Sequence, residues 1–266
     1  MTQRSPERPA ATADIMALTA IVWVAAAILH EGMGHGLACK AMGGVPTAWS
    51  TFHFACDRQS MSIAGWRLVS GAGTMVNIGL LALGWVWWRR GLTTGKRLAA
   101  WIMFAVNGLT SFGYLLFSAA FGLGDWNGAG VMAGMSNPSL ARGMLAVIGL
   151  AGYYVIVRVS AAMLSRMLDG PDRVTAARRL SVTIWATTGA VSLIAALTAG
   201  ADWRSTLGAS IGVALGGNAG LLSVARFLVP LSTSQPLAME RNWPLRGAAI
   251  IVVVAFAAIL GPGLRI

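Results

Sequence analysis

Two histidines and a glutamate are the residues of this sequence best suited to chemistry. His30, Glu31 and His35 close an apolar run long enough to span a membrane, and the chain contains only three histidines and three glutamates. Placing an ionisable group in hydrocarbon costs several kcal/mol, roughly 2.5–3.5 on insertion scales, so such groups are functional candidates. Because imidazole is the commonest protein ligand of metals, the pattern predicts a metal site.

The spacing of the two histidines decides whether they can share one ion. The zinc-binding pattern H-E-x-x-H places its histidines four residues apart on one helix face, whereas His30 and His35 are five apart. Five residues of an ideal α-helix turn through about 500°, which would leave the rings roughly 140° apart. A single π turn would realign them, and Gly32 and Gly34 lower its cost. Either His30 and His35 are ligands with Glu31 as the base, or Glu31 and His35 pair on a straight helix.

The rest of the chain has the composition of a membrane protein. It is 56% hydrophobic and 11% charged, with a mean hydropathy of +0.67. Seven apolar stretches approach spanning length, although the sixth is rich in glycine and the seventh is short. We therefore expect an all-α polytopic membrane protein with six or seven transmembrane helices. The stretches cover approximately residues 14–38, 68–88, 99–123, 143–165, 180–200, 206–230 and 247–264.

The net charge of +11 is better explained by membrane topology than by nucleic acid binding. The basic residues lie in the loops between the apolar runs, where they set the orientation of the chain. If the spans alternate, fourteen basic residues fall on the side of the N-terminus and six on the other side. This imbalance predicts a cytoplasmic N-terminus and places His30 and His35 toward the outer half of the membrane. The expected partner is the lipid bilayer, with no nucleic acid.

Residues 45–63 are too short and too polar to span a membrane. Their Thr, Trp, Phe and His residues with partial alternation predict a short β-hairpin or a re-entrant segment between the first and second spans. His53 in this segment is either a ligand or substrate contact, or simply a hydrogen-bonded hairpin residue. Cys39 and Cys56 are the only cysteines; they are inert apolar residues, a disulfide on the oxidising side, or include a metal contact.

Two further polar residues lie in or beside the next apolar spans. Asn77 follows a run of small residues in the second span, so it either packs between helices or lines a catalytic cavity. Asp125 is the only acid between Asp57 and Asp169, and it follows the third span, which returns to the side of His35. It is either a surface cap or the third protein ligand that a catalytic zinc requires.

Together these motifs resemble those of a known family. Residues 29–38, closed by Met42-Gly43-Gly44, are similar to the first motif of site-2-type intramembrane zinc metalloproteases, with one extra residue between the histidines. Residues 70–77, a small-residue run that ends in Asn, resemble the second motif, and Asp125 takes the place of the family's third-ligand aspartate. The resemblance covers roughly residues 15–130, about half of the chain, and includes no separate peptide-binding domain.

The resemblance implies an intramembrane zinc metallopeptidase that hydrolyses peptide bonds of membrane-embedded substrates, which are transmembrane proteins or peptides. Glu31 would be the general base for a water activated by Zn²⁺, and Asn77 and His53 would contact the substrate or the oxyanion. Two alternatives stay open: a non-proteolytic scaffold of the same fold, or a zinc hydrolase that acts on a lipid or another small membrane substrate. The implied zinc ligands are His30, His35 and Asp125.

The resemblance also divides the chain. Residues 1–13 are expected to be a flexible polar N-terminus, residues 14–130 a metalloprotease-like core with the hairpin, and residues 131–266 a set of accessory transmembrane helices. The sixth span carries glycines at i,i+4 steps, which would form one smooth face for packing inside the bundle or for an oligomer contact. These glycines are Gly208, Gly212, Gly216 and Gly220.

Overall fold

The computed structural model describes residues 12–58, 60–90, 93–168, 170–199, 203–229 and 241–266. Seven helices of this part are long and apolar enough to cross a membrane, so the expected number of long apolar helices is confirmed at its upper value. Residues 1–11 of the expected polar N-terminal segment lie outside the described residues. The helices are α1 (Thr12–Ala41), α2 (Ile63–Arg89), α3 (Thr94–Phe121), α4 (Pro138–Ser165), α5 (Arg173–Leu197), α6 (Thr206–Phe227) and α7 (Trp243–Leu260).

Six of the seven helices begin before the apolar runs that predict them, and in three of the six a capping side chain precedes the run. At the start of α2, Ser62 accepts a hydrogen bond of 3.1 Å from the Gly65 amide. Asn137 and Asn242 cap α4 and α7 in the same way, each with a proline in the first turn. Such caps satisfy amide groups that have no partner inside the helix. The hydropathy-based starts of these three helices are therefore four or five residues late.

The bundle is organised around α3 and α1. α3 is the most buried of the seven helices, and its Trp101 and Leu109 have no exposed surface. It packs against α2, α4 and α6, while α1 packs against α2, α3, α5 and α7. At Gly84 of α2 an added Cβ would lie 2.7 Å from the backbone nitrogen of Phe104, so glycine permits α2 and α3 to approach closely. At the opposite end of this helix pair, Val69 of α2 and Asp125 after α3 both contact His35 of α1.

Three of the helices contain a π turn. It covers Leu29–Gly36 in α1, Ile211–Gly216 in α6 and Phe256–Leu260 in α7. In α6 the π turn is followed by a 3₁₀ turn over Gly217–Gly220, so the pitch of this helix changes twice within ten residues. Side chains four residues apart, which lie on one face of a regular α-helix, therefore do not stay aligned through this part of α6.

The four glycines of α6 do not share the single face that their spacing predicts. An added Cβ at Gly212 would meet the Phe117 ring at 3.2 Å, and one at Gly220 would meet the Leu109 side chain at 2.7 Å. Around Gly208, by contrast, no described atom lies within 4 Å of that position. Two of the glycines thus permit packing inside the bundle, and the oligomer contact stays a prediction.

A small sheet lies over one end of the bundle. β1 (Val45–Ser50) and β2 (His53–Asp57) form an antiparallel hairpin, which confirms the hairpin predicted within residues 45–63. A third described strand, β3 (Leu264–Arg265), pairs with β1 in the order β2-β1-β3. Residues 264 and 265 belong to this strand, so the last apolar span predicted for residues 247–264 is one residue too long at its end. The predicted hairpin is therefore extended by an unpredicted third strand.

The two cysteines form a disulfide, which settles the three alternatives that the sequence left open. Cys39 lies in the last turns of α1 and Cys56 lies in β2, with a Cα–Cα distance of 6.0 Å. An added Cβ at Gly44 would lie 2.6 Å from the Cys56 sulfur, so glycine makes room for the bridge. The bond ties the hairpin to the helix that carries both histidines.

Candidate metal centre

The π turn of α1 brings the two histidine side chains together. His30 and His35 both lie within Leu29–Gly36, and their Nε2 atoms are 3.3 Å apart. The ring centroids are 5.0 Å apart and the ring planes are inclined by 72°. The π turn predicted from the five-residue spacing is confirmed, and the straight-helix alternative is wrong. One extra residue per turn returns residue i+5 to the position that residue i+4 holds on an α-helix.

Asp125 completes a triangle of donor atoms with the two imidazoles. Its Oδ2 lies 3.3 Å from His35 Nε2 and 3.7 Å from His30 Nε2. The aspartate follows α3 through Gly122 and Gly124, which adopt the left-handed φ angles of 69° and 78° that favour glycine. Its amide donates a hydrogen bond of 3.1 Å to the Tyr114 hydroxyl oxygen. The surface-cap alternative therefore does not describe this residue.

Charge complementarity keeps the Asp125 carboxylate ionised. Burial alone would raise the pKa of Asp125, but hydrogen bonds and electrostatic attraction from His30 and His35 outweigh it and hold the pKa well below its usual range. A deprotonated carboxylate is the form that binds a cation. The aspartate is thus available as an anionic ligand across the ordinary pH range.

The geometry of the three donors fits a tetrahedral metal ion. Donor atoms that lie about 2.0–2.1 Å from a tetrahedral zinc are about 3.3–3.4 Å from one another. The three distances here are 3.3, 3.3 and 3.7 Å. His35 Nδ1 lies 2.7 Å from the Val69 carbonyl oxygen, to which it can donate a hydrogen bond. Because this contact keeps a proton on Nδ1, loss of the second ring proton on metal binding would leave an Nε2 lone pair directed at the other donors.

Glu31 adds a fourth donor atom, Oε2, which has no hydrogen-bond partner among the described residues. The side chain is buried, and its Oε2 makes no hydrogen bond with any described residue. A ligand atom of Glu31 lies within 4.8 Å of those of both His30 and His35. Because a buried carboxylate oxygen without a hydrogen-bond partner is costly, Oε2 is suited to contact a cation, a water or a substrate group.

Glycines on two elements allow the backbones to approach the donors. An added Cβ at Gly73 of α2 would overlap the His30 ring, and one at Gly34 would lie 2.6 Å from Gly73 Cα. The sheet covers the other side of the π turn. A Cβ added to Gly32 would lie 3.0 Å from the Trp49 ring, and one added to Gly36 would lie 3.0 Å from the Phe54 ring. The small-residue run that precedes Asn77 therefore positions the His30 ring, a role that its sequence alone did not reveal.

All six predicted site residues line one cavity of about 600 Å³. His53 is exposed on β2 and forms part of the wall, outside the His30–Glu31–His35 donor cluster of the described residues. Asn77 is buried, and its Oδ1 has no hydrogen-bond partner in the described part of the chain. The remaining wall is largely aromatic and aliphatic. The six residues are His30, Glu31, His35, His53, Asn77 and Asp125.

Three polar residues of α3 also line this cavity and were not among the predicted site residues. Asn107, Thr110 and Tyr114 line it, and they are spaced by three and four residues, which places them on one helix face. A polar stripe with helical spacing inside an apolar span was the signal that could have revealed them. Tyr114 has the clearest role, since its hydroxyl accepts the hydrogen bond from the Asp125 amide.

Comparisons with known proteins add no relative. No protein-family model, curated protein or solved structure matches this chain. What the chain does must therefore be argued from its own fold and from the geometry of the donor cluster.

Proposed function

We propose that this protein is an intramembrane zinc metallopeptidase of the site-2 type, which hydrolyses peptide bonds in membrane-embedded segments. The observation that carries the proposal is the convergence of two imidazoles and one carboxylate at zinc-like spacing beside a buried, unpartnered glutamate. Three protein ligands are the number typical of a catalytic zinc, whereas structural sites have four. The proposal includes insertion of the seven helices in a bilayer with the N-terminus in the cytoplasm, which the charge imbalance supports.

Each donor has a distinct task in this proposal. His30, His35 and Asp125 would hold the ion, and zinc bound there would act as a Lewis acid that lowers the pKa of a water to about 7. Glu31 takes a proton from that water and passes it to the leaving amine, which requires a carboxylate close to the ion without being fully engaged by it. The unpartnered Oε2 of Glu31 meets this requirement.

The cavity wall offers contacts for a peptide backbone. β2 is at an edge of the described sheet, and its His53 and Phe54 line the cavity. An extended substrate segment can pair with such an edge strand through main-chain hydrogen bonds. Asn77 Oδ1 is a buried acceptor without a described partner, so it can accept a hydrogen bond from a substrate amide. A transmembrane helix has to unwind locally before its peptide bonds become accessible in this way.

The test combines metal analysis with a cleavage assay on the purified full chain. We expect the wild type to contain about one zinc per chain, His35→Ala to contain none, and Glu31→Gln to retain zinc but lose cleavage of transmembrane peptides in liposomes. The melting temperature of each variant serves as the folding control. A wild-type protein without bound metal, or a Glu31→Gln variant with wild-type cleavage, would contradict the proposal. The first of these results would favour the non-proteolytic scaffold.

One observation favours a second candidate, a zinc hydrolase that acts on a lipid or another small membrane substrate. The cavity of about 600 Å³ has a largely apolar wall, and both its size and its lining are typical of small-molecule sites. Assays of lipid esters and peptides side by side, each with the Glu31→Gln variant, separate the two. Glutamate-dependent hydrolysis of lipids but not of peptides would replace the peptidase assignment.

A further inference from the structure

A second cavity, of about 520 Å³, lies at the opposite end of α2 from the metal centre. Val69, which contacts His35, and Arg89, which lines the second cavity, are twenty residues apart on α2, so about 30 Å of helix separates them. The end of α2, the start of α3 and the end of α4 enclose the cavity. We call it the arginine–tryptophan cavity after the residues that line it: Trp85, Trp88, Arg89, Arg97 and Arg166.

The cationic side chains of this cavity are stacked on its two indole rings. Trp85 and Trp88 are stacked, with centroids 6.1 Å apart and an interplanar angle of 18°. Arg89 lies over the Trp85 ring at 5.9 Å, while Arg97 and Arg166 lie over Trp88 at 5.9 and 5.7 Å. Such stacking orders a guanidinium plane, and a stacked arginine can still donate hydrogen bonds to an anion through its N–H edge. The described lining residues include no carboxylate.

A buried donor in the same cavity points to an acceptor. Trp88 is only 8% exposed, and its indole Nε1 has no hydrogen-bond partner among the described residues. An unpartnered buried N–H group costs about 1–3 kcal/mol, so native structures rarely tolerate one. A tryptophan that merely anchored the helix at a membrane surface would place its N–H in water or among headgroups. Here the N–H instead lies beside the arginines.

We propose that the arginine–tryptophan cavity binds the phosphate group of an anionic lipid. Arg89 and Arg166 pair with phosphate oxygens, and Trp88 Nε1 donates a hydrogen bond to one of them. Arginine suits this task because its donors match the geometry of phosphate oxygens. A lipid fits better than free phosphate because the cavity lies at the ends of three apolar helices, and Leu83 and Val86 one turn away are exposed. Basic cavities between transmembrane helices are known to hold lipid headgroups.

The test measures lipid affinity of the full chain in detergent micelles, where no charged bilayer surface contributes. Soluble short-chain phosphatidylglycerol and phosphatidylcholine are titrated separately, and bound lipid is counted by native mass spectrometry. We expect phosphatidylglycerol to bind more tightly, and the double variant Arg89→Gln/Arg166→Gln to weaken it by roughly tenfold or more, since each arginine contributes about fivefold. Trp88→Phe, which keeps an aromatic ring but lacks the N–H, should weaken binding severalfold.

The control is the double variant Arg90→Gln/Arg173→Gln, which removes two charges at the same end of the bundle without altering the cavity lining. It should bind phosphatidylglycerol as the wild type does. Equal losses in both double variants would mean that diffuse surface charge, not the cavity, attracts the lipid. Equal binding of the two lipids, or displacement by inorganic phosphate at the same concentration as the lipid, would overturn the lipid assignment. Zinc content and cleavage are measured separately, so this proposal can fail independently of the proposed function.

Discussion

The π turns of α1 and α6 are both rich in glycine, but their surroundings differ. In α1 a Cβ added to Gly32, Gly34 or Gly36 would lie 3.0 Å or less from an atom of the sheet or of α2. In α6 an added Cβ at Gly216 would meet nothing nearer than 3.9 Å. The π turn of α1 carries two imidazoles and a carboxylate, whereas residues 211–216 carry no ionisable side chain.

This difference shows that a glycine-rich π turn does not always bring donor side chains together. In α6 the irregular stretch lets two backbones meet, because an added Cβ at Gly113 of α3 would lie 2.8 Å from Gly217 Cα. Asn218 then donates a hydrogen bond of 3.2 Å to Thr110 across the same contact. In α1 the irregular stretch instead aligns donor atoms, and the neighbouring elements fix them. If packing around α1 holds the donor atoms and packing around α6 holds only the bundle together, substitutions in the two regions should differ in their effect on bound zinc.

The largest effect is expected from Gly73→Ala. A Cβ at this position would overlap the His30 ring. The α2 backbone cannot easily shift away from α1 to make room, because Gly73 already packs closely against Gly34. The ring has to move away from His35 and Asp125, so we expect zinc content, measured by elemental analysis, to fall below detection. Gly79→Ala on the same helix is the matched control, since no described atom lies within 4 Å of its added Cβ. Normal zinc in Gly73→Ala would mean that the ring position is not critical.

A smaller effect is expected from Asp125→Asn. The amide keeps the shape of the side chain but removes the negative charge beside the two imidazoles. We expect zinc affinity, measured by competition with a chelating dye, to fall by about 10- to 100-fold, a loss comparable to those seen when groups around a metal are altered. Asp57→Asn, on the exposed end of β2, is the control for loss of one acidic charge. Similar losses in both variants would show that general charge, rather than ligation, holds the ion.

Local sequence patterns predicted much of the centre because they depend on few residues. Five-residue histidine spacing with intervening glycines indicated the π turn, and the isolation of Asp125 among apolar spans indicated a third donor. Hydropathy gave seven apolar helices but not their starts, which depend on caps such as Ser62 and Asn137. The hairpin was predicted from the short, polar and partly alternating segment between the first two spans.

Features that depend on distant contacts could not be predicted in this way. β3 pairs residues near 265 with β1 near 48, and nothing local to either strand specifies that partner. The close contact of α6 with Gly113 of α3 likewise joins residues that are remote in sequence. The disulfide was one of three alternatives, because pairing depends on where β2 folds over α1. The arginine–tryptophan cavity could not be predicted for the same reason, because its lining residues come from the ends of three helices.

The Cys39–Cys56 disulfide tests whether the sheet must be held against α1. Its replacement by Cys39→Ser/Cys56→Ser frees a loop of sequence separation 17, for which the expected loss in free energy of unfolding is about 3 kcal/mol. The donor atoms lie on α1 and after α3, not on the sheet, so zinc content should be unchanged. Cleavage should fall severalfold, because β2 forms the wall where the substrate is proposed to pair. Loss of zinc in this variant would show that the sheet is needed for the centre itself.

The smallest effects are expected from the glycines of α6. In Gly220→Ala the added Cβ would lie 2.7 Å from Leu109 and 2.9 Å from Tyr153, so we expect a loss of about 1–3 kcal/mol in stability from overpacking. In Gly208→Ala no described atom opposes the Cβ, and the gain in helix propensity should stabilise the chain by up to about 1 kcal/mol. Both variants should retain full zinc content, measured beside their melting temperatures. Zinc loss in Gly220→Ala would show that α1 and α6 are coupled through α3. Packing around α6 would then also serve the metal centre.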